Sequence, residues 1–434
     1  MAWEARRAVT RIDEDRKPVA VQAAVYAVAF FTGSPFIMLS VIMPLWALEL
    51  GSGPLVIGLI ISSRQILVIT MAVHGGALLD RFGPRIVIIL MGCIGAATMA
   101  LFPFFPFVAV IVVLQMISGF AETTTWIGAQ ALVGRLLGGR PVYAGRLTAS
   151  ARIGSFIGPL ATGLTWQYLG SDIAFWLMAA WIFMGGLTAL LLPRDDGALA
   201  AESPSAESPA AAPPPPAAHP VSAPRPRRSI LPSLADYAAT FRLLLLPTVA
   251  LVIAVTFLRQ TGSGIQASFY GVWLKEIGFE AGAIGLLLGI ANAASAVSAL
   301  TIGPLTRRFA EHWLLIAATA LAIAAIAVTP LLGGFIALAL MISLRGVGQG
   351  LNFPLMLAIA SRAVGPHMQG RVVALRITFN RLGGAIVPFA MGVLAEIVGL
   401  DNAFFIIGIA GLVLLGLLSV WIARAPEFEN GPRR

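Results

Sequence analysis

An all-α membrane protein of twelve transmembrane helices, arranged as two parallel six-helix repeats, is the fold this sequence predicts. Three observations lead there. The 434 residues are 58% hydrophobic and only 11% charged, with mean hydropathy +0.89, whereas a soluble domain carries about 25% charged residues. Apolar runs of about 20 residues, the length that crosses a bilayer, recur twelve times. The two halves also carry the same uncommon residues in the same order, at a nearly constant offset.

The elements follow in order. Residues 1–19 form a polar N-terminal tail, too acidic and too long for a signal-peptide n-region, so the first span is expected to be uncleaved. The N-terminal half, 20–192, holds spans 1 to 6 at 20–48, 54–77, 86–104, 107–131, 146–169 and 172–192. A linker rich in Pro, Ala and Ser occupies 193–242. It carries eleven prolines, including Pro213 to Pro216, and repeated Pro favours extended polyproline II over any core. It reads as a cytoplasmic tether between the halves; a docking ligand of the Pro-rich kind is the other reading. The C-terminal half, 243–423, holds spans 7 to 12 at 245–274, 280–304, 312–332, 334–360, 371–398 and 402–423, and 424–434 is a short basic tail.

Charge sets the topology. Of the 29 Lys and Arg, only Lys275 falls in a segment on the far side of the predicted membrane, and six arginines fall inside spans. The remainder flank the spans on one side, which predicts a multi-pass plasma- or inner-membrane protein with both termini in the cytoplasm. The net +9 is thus a topology signal, with no basic face for nucleic acid. A lone Cys93 and four scattered His give no metal-ligand spacing. No P-loop, nucleophile elbow or catalytic carboxylate pair occurs, so no cofactor, metal or enzymatic activity is expected.

The repeat is read from residues that chance apolar matching would not favour. At an offset of 227, Trp46, Glu49, Gly51 and Gly58 face Trp273, Glu276, Gly278 and Gly285. At 229, Arg152, Gly154, Pro159, Gly163, Asp172 and Phe175 face Arg381, Gly383, Pro388, Gly392, Asp401 and Phe404. Glu122 and Gln115 are the mates of Asn352 and Arg345 at 230.

Between spans 2 and 3 stands Gly76-Ala-Leu-Leu-Asp80-Arg81-Phe-Gly83-Pro-Arg85. Its glycines permit a tight turn, and its charges can make a contact that forms in one state and breaks in another. The stretch resembles the loop G-x-L-x-D-R-x-G-R-R of major facilitator superfamily transporters, with Pro84 in place of a basic residue. Gly303-Pro-Leu-Thr-Arg307-Arg-Phe309 is a decayed copy. In span 5, Gly145, Gly154, Gly158, Pro159 and Gly163 resemble the G-x8-G-x3-G-P-x2-G-G pattern of the antiporter branches, with Thr162 replacing one glycine. The family's span-4 motif is weaker here, since Gln115 stands where an arginine is usual. The resemblance implies two parallel six-helix repeats around a solute site near the midplane, and a cavity lined by spans 1, 4, 7 and 10.

The spans hide Arg64, Arg152, Arg259, Arg345, Arg376 and Arg381, with Glu122 the only acid at depth. A charge at mid-bilayer costs about 2.5–3.5 kcal/mol on insertion scales, so each needs a partner, water or a task. Arg259, Arg345, Glu122, Arg64, Gln115, Asn352, Tyr270 and Trp126 are therefore the substrate-binding candidates. Glu122 is either a proton-coupling carboxylate or the counter-ion of an arginine. Arg152 and Arg381, repeat mates, read as braces. Trp46 and Trp273 read as membrane-interface anchors.

These features predict a monomeric secondary transporter working by alternating access, exporting a small organic molecule in exchange for protons. Two alternatives stand beside it: uptake or exchange of an organic anion held by intramembrane arginines, and a transport-inactive membrane receptor.

Overall fold

The computed structural model describes residues 18–138, 140–193, 241–363, 369–425 and 427. The N-terminal tail through residue 17, and 194–240 of the Pro-rich linker, lie outside the described residues. Twelve helical rods appear among those described, and no strand. Span 1 is Val19–Thr32 followed by Pro35–Glu49, and span 2 is Pro54–Ser63 continued by the start of Ile66–Leu101. That helix bends at Gly83, and its remainder is span 3. Spans 4, 5 and 6 are Val108–Leu137, Pro141–Leu169 and Ser171–Ala189. In the second half, span 7 is Pro247–Ser268 plus Tyr270–Glu276, and span 8 is Ala281–Ala299 plus Ile302–Arg308. Spans 9 to 12 are Glu311–Ala327, Phe335–Ala363, Gln369–Val398 and Leu400–Arg424.

Ten of these helices are long and apolar enough to cross a membrane, and Glu311–Ala327 is a shorter apolar helix. Span 5 has 29 residues but spends many of them on Gly, Ser, Thr and Arg. Helix breaks at Gly33–Ser34 and at Arg64–Gln65 interrupt spans 1 and 2 at mid-depth. Irregular backbone at membrane depth is tolerated where it lines a cavity or is buried in protein. Both breaks fit that rule, because Thr32, Gly33, Arg64 and Gln65 all line the central cavity.

The core is continuous at one end and split at the other. A single apolar cluster joins the halves through Met38 to Ala47, Ile57 and Ile60, Trp166 and Phe175 on one side. Ile265 to Leu274, Ile284 to Ala291, Met391 and Phe404 meet them from the other. At the end that carries both chain termini each half has its own core. Val25, Leu132 and Leu147 belong to the first, and Val252, Leu355 and Val372 to the second. The halves therefore close against each other at the far end, opposite the termini, and part at the terminal end.

Far-end closure obeys the sequence repeat. A Cβ on Gly285 of span 8 would lie 2.3 Å from the Pro159 carbonyl oxygen of span 5, and one on Gly58 of span 2 would lie 2.6 Å from that of Pro388 in span 11. Likewise a Cβ on Gly163 would lie 2.3 Å from the Ala281 carbonyl oxygen, and one on Gly392 2.6 Å from that of Pro54. Gly282 N–H donates to Gln167 Oε1 at 3.2 Å, and Leu55 N–H to Glu396 Oε2 at 3.2 Å. Every one of these pairs maps onto its counterpart by the 227 and 229 offsets. Backbone-to-backbone approach of this kind needs glycine.

Trp46 and Trp273 correct an expectation. Neither lies at the lipid surface: they are 4% and 3% exposed. Trp46 packs edge-on to Phe175 at 5.1 Å, and Trp273 sits 6.3 Å from Phe404 while donating Nε1–H to Asp401 at 2.7 Å. They are repeat-related pieces of the shared core.

Candidate functional site

Where the halves part, a cavity of about 270 Å³ opens between spans 1, 2, 4, 7, 10 and 11. It is near the small end of ligand pockets, which run from roughly 300 to 1,000 Å³. Its charged wall is Arg64, Glu122, Arg259 and Arg381. Phe36 and Trp126 supply aromatic surface, and Gln65, Gln115, Gln260, Ser263, Gln349 and Asn380 supply neutral hydrogen-bonding groups.

Arg64 is held at the break in span 2. Its guanidinium pairs with the Glu122 carboxylate, donates to Gln115 Oε1 at 3.5 Å, and lies 5.5 Å from the centre of the Phe36 ring. Gly119, one turn from each partner, leaves room for this, since a Cβ there would meet the Arg64 carbonyl at 2.3 Å. The ion pair ties spans 2 and 4 within the N-terminal half. Glu122 is thus ion-paired with an arginine in this structure.

Arg259 and Arg381 have no carboxylate partner among the described residues. Arg259 donates to the amide oxygen of Asn380 on span 11, and Arg381 to that of Gln65 on span 2 at 3.3 Å. The Nε–H of each is buried without an acceptor. Three guanidiniums therefore face the cavity against one carboxylate, a balance that attracts anions.

Arg381 to Gln65 has a repeat counterpart. Arg152 on span 5 donates to Asn292 Oδ1 on span 8 at 3.5 Å, and Gln65 and Asn292 are mates at offset 227. Two arginine–amide bridges thus cross between the halves at mid-depth.

Three sequence candidates stand behind the wall. Arg345, 3% exposed, donates to Ser263 Oγ at 3.3 Å and so acts on the cavity through that hydroxyl. Asn352 is fully buried and accepts from Thr319 Oγ1 at 3.1 Å, joining spans 9 and 10. Tyr270 is 1% exposed, its hydroxyl unpartnered. Span 10 reaches the wall through Gln349 instead. The expectation of lining by spans 1, 4, 7 and 10 is widened, because spans 2 and 11 contribute Arg64 and Arg381. Gln65, Asn292 and Asn380 escaped sequence reading as individual residues, although the repeat offset pairs the first two.

The span-5 glycines divide by task. A Cβ on Gly154 would lie 2.2 Å from the Phe30 carbonyl oxygen and one on Gly158 2.8 Å from the Met38 side chain, so both glycines seat span 5 on span 1. Gly163 and the Pro159 carbonyl face the other half, and Gly145 meets nothing within 4 Å. Thr162, which departs from the pattern, returns its hydroxyl to the Gly158 carbonyl at 2.8 Å and so fits its own helix.

In the loop between spans 2 and 3, Gly83 has φ +76°, a conformation that L side chains adopt rarely. Arg85 donates to the Ala189 and Leu190 carbonyls at 3.3 and 3.0 Å, satisfying the end of span 6. Arg81 lies 5.3 Å over the Phe82 ring, and Gly76 is unhindered. The Asp80 side chain lies outside the described residues.

Known proteins align with this arrangement. The family model described as Major Facilitator Superfamily matches residues 25–258 and 252–434. The enterobactin exporter EntS of Salmonella typhimurium is 27% identical over 359 residues, 79% of this chain and 78% of its own. The 3-(3-hydroxy-phenyl)propionate transporter of Escherichia coli is 29% identical over 152 residues, 35% of either chain. Among solved structures, the nucleoside transporter NupG superposes with TM-score 0.72 at 15% identity, covering 93% of this chain and 100% of that one. A POT family transporter in complex with 5-aminolevulinic acid superposes with TM-score 0.68 at 13% identity, covering 94% and 96%. The repeat, the two six-helix halves and the cavity between them have their explanation in this: the chain is a membrane transporter belonging to the Major Facilitator Superfamily.

Proposed function

We propose that the protein exports a small organic anion with a flat apolar portion by alternating access between its two halves. The observation that carries the substrate class is the cavity wall, where Arg64, Arg259 and Arg381 face one carboxylate. Phe36 and Trp126 favour an aromatic body. The anion reading, second in the sequence analysis, thus moves ahead of a neutral or cationic substrate.

Export is supported by similarity to an exporter along 79% of the chain and by the span-5 pattern. The physics agrees, since an inside-negative potential drives anions outward by about 2.3 kcal/mol per charge per 100 mV. Lys and Arg flank the spans almost wholly on the terminal side, which supports cytoplasmic termini in a bacterial inner membrane. The cavity then opens to the cytoplasm, where an export substrate is loaded. Residues 193–242 tether the halves, and the protein works as a monomer. Proton exchange is unnecessary to this scheme, in which Glu122 keeps Arg64 in place and anion movement follows the potential.

Untargeted comparison of small molecules in the medium of cells with and without the protein tests the reading. Compounds that need the protein to appear outside are expected to carry a carboxylate, sulfonate or phosphate. Enrichment of amines or uncharged compounds instead contradicts the substrate class.

A further inference from the structure

The charge excess at the cavity exceeds what a single anionic group would neutralise. Arg64 has Glu122. Arg259 and Arg381 have only amide oxygens, from Asn380 and Gln65, and each keeps a buried Nε–H without an acceptor. Arg345 lies one layer behind, on Ser263 of the wall. Nothing else on the described wall is anionic. Buried cations left uncompensated are costly in a membrane, and a bound ligand is what can balance the two at the surface.

Their placement gives two loci rather than one. The Arg381 guanidinium is directed at the Gln65 side chain, next in sequence to Arg64, at the seam between spans 2 and 11. Arg259 is directed from span 7 to Asn380, on a neighbouring face of span 11. Gly384, one turn further along, keeps the wall thin between them, for a Cβ there would meet the Gln260 amide at 3.1 Å and the Gln65 amide at 3.5 Å. Phe36 and Trp126 complete the wall from the other half.

We infer that the transported anion carries two negative groups, one bound at the Arg381 and Arg64 seam and one at Arg259, with its apolar body against Phe36 and Trp126. The inference rests on the anion reading proposed above and sharpens it to a dianion of the aryl dicarboxylate type. Each group receives charge-assisted bonds from guanidinium donors, and the two together match the two unpaired charges.

Isothermal titration of the purified full-length protein in detergent at neutral pH separates the cases, with isophthalate, benzoate and benzamide as probes. All share one ring, and both acids are fully ionised at this pH. Isophthalate is expected to bind about 10- to 100-fold more tightly than benzoate, the gain from a second charge-assisted contact, and benzamide weakest. Arg381→Gln is expected to abolish the preference, so that isophthalate and benzoate bind alike in the variant, and Arg381→Lys to restore part of it. Equal binding of isophthalate and benzoate, both above benzamide, overturns the dianion inference and leaves the anion reading standing. Binding of benzamide equal to or tighter than both acids overturns the two together. A dianion preference that survives Arg381→Gln unchanged overturns the assignment of the second locus.

Discussion

Gly285→Ala is expected to lower transport by one to two orders of magnitude while leaving the protein folded. The added methyl carbon would sit 2.3 Å from the Pro159 carbonyl oxygen and 2.9 Å from its carbon. Both are backbone atoms, so relief requires the helices to separate by about 1 Å, the gap between 2.3 Å and ordinary contact near 3.4 Å. Overpacking of this kind costs about 1–3 kcal/mol. The cost falls only on the state in which the far end is closed, so the balance between states shifts by about 5- to 150-fold. The separate cores at the terminal end are untouched, which is why folding should survive. Gly163→Ala should act alike, through the Ala281 carbonyl. Gly158→Ala crowds the flexible Met38 side chain and touches the Ser34 Cβ at an ordinary 3.4 Å, and Gly145→Ala meets nothing within 4 Å, so both should be mild. Spin labels at Asp172→Cys and Glu280→Cys in a Cys93→Ser chain report the far end directly. Their separation should increase in Gly285→Ala and stay unchanged in Gly145→Ala. A Gly285→Ala protein with normal transport and an unchanged label distance would remove the far-end contact from the mechanism.

Glu122→Gln is expected to destabilise the empty protein and tighten its hold on anions. Glu122 is the carboxylate that pairs with the buried Arg64. Removing one member of a buried pair costs up to about 3–5 kcal/mol, and water in the cavity will reduce that figure. A bound anion can then take the place of the carboxylate at Arg64. Thermal unfolding in detergent should therefore show a lowered midpoint that added aryl carboxylate restores by more than it raises the wild type. Turnover should fall, because a third unpaired guanidinium slows release. The competing role for Glu122, proton coupling, makes a different forecast. In that case stability and binding stay near wild type, and only accumulation driven by a pH gradient is lost.

Much of the architecture was legible because membranes impose simple rules. Span lengths follow from bilayer thickness and the sidedness of arginine from insertion energetics, and the described helices respect the predicted order throughout. The repeat was legible because Trp, Pro and Gly at constant offset are unlikely to match by chance. What the repeat could not say is which surfaces those residues meet. Trp46 and Trp273 carry a polar N–H on an apolar ring, which is why they read as interface anchors. Only the neighbouring Phe175, Phe404 and Asp401, brought in from distant spans, decide for the core.

The site was half legible for a similar reason. An arginine inside an apolar run announces a polar environment, and all three wall arginines were visible in this way. Helix rotation and tilt, however, are set by packing between spans, so sequence alone could not distinguish Arg259, on the wall, from Arg345, one layer behind it. The neutral partners were less visible still. Gln65, Asn292 and Asn380 resemble ordinary polar residues near span centres until arginines from other spans arrive at them, from the opposite half for Gln65 and Asn292 and from span 7 of the same half for Asn380.

Counterflow exchange in proteoliposomes tests the central claim, that an anion is recognised by unpaired arginines between the halves. Labelled 3-phenylpropionate would be exchanged against unlabelled 3-phenylpropionate, 3-phenylpropanamide or 3-phenylpropylamine, by the wild type and by Arg259→Gln. The account predicts exchange with the carboxylate alone. It also predicts a loss of about 10- to 150-fold in apparent affinity for the variant, the worth of a hydrogen bond to a charged group at about 1.5–3 kcal/mol. Equal exchange with the amide or the amine, or an Arg259→Gln protein that handles the carboxylate like the wild type, would contradict it.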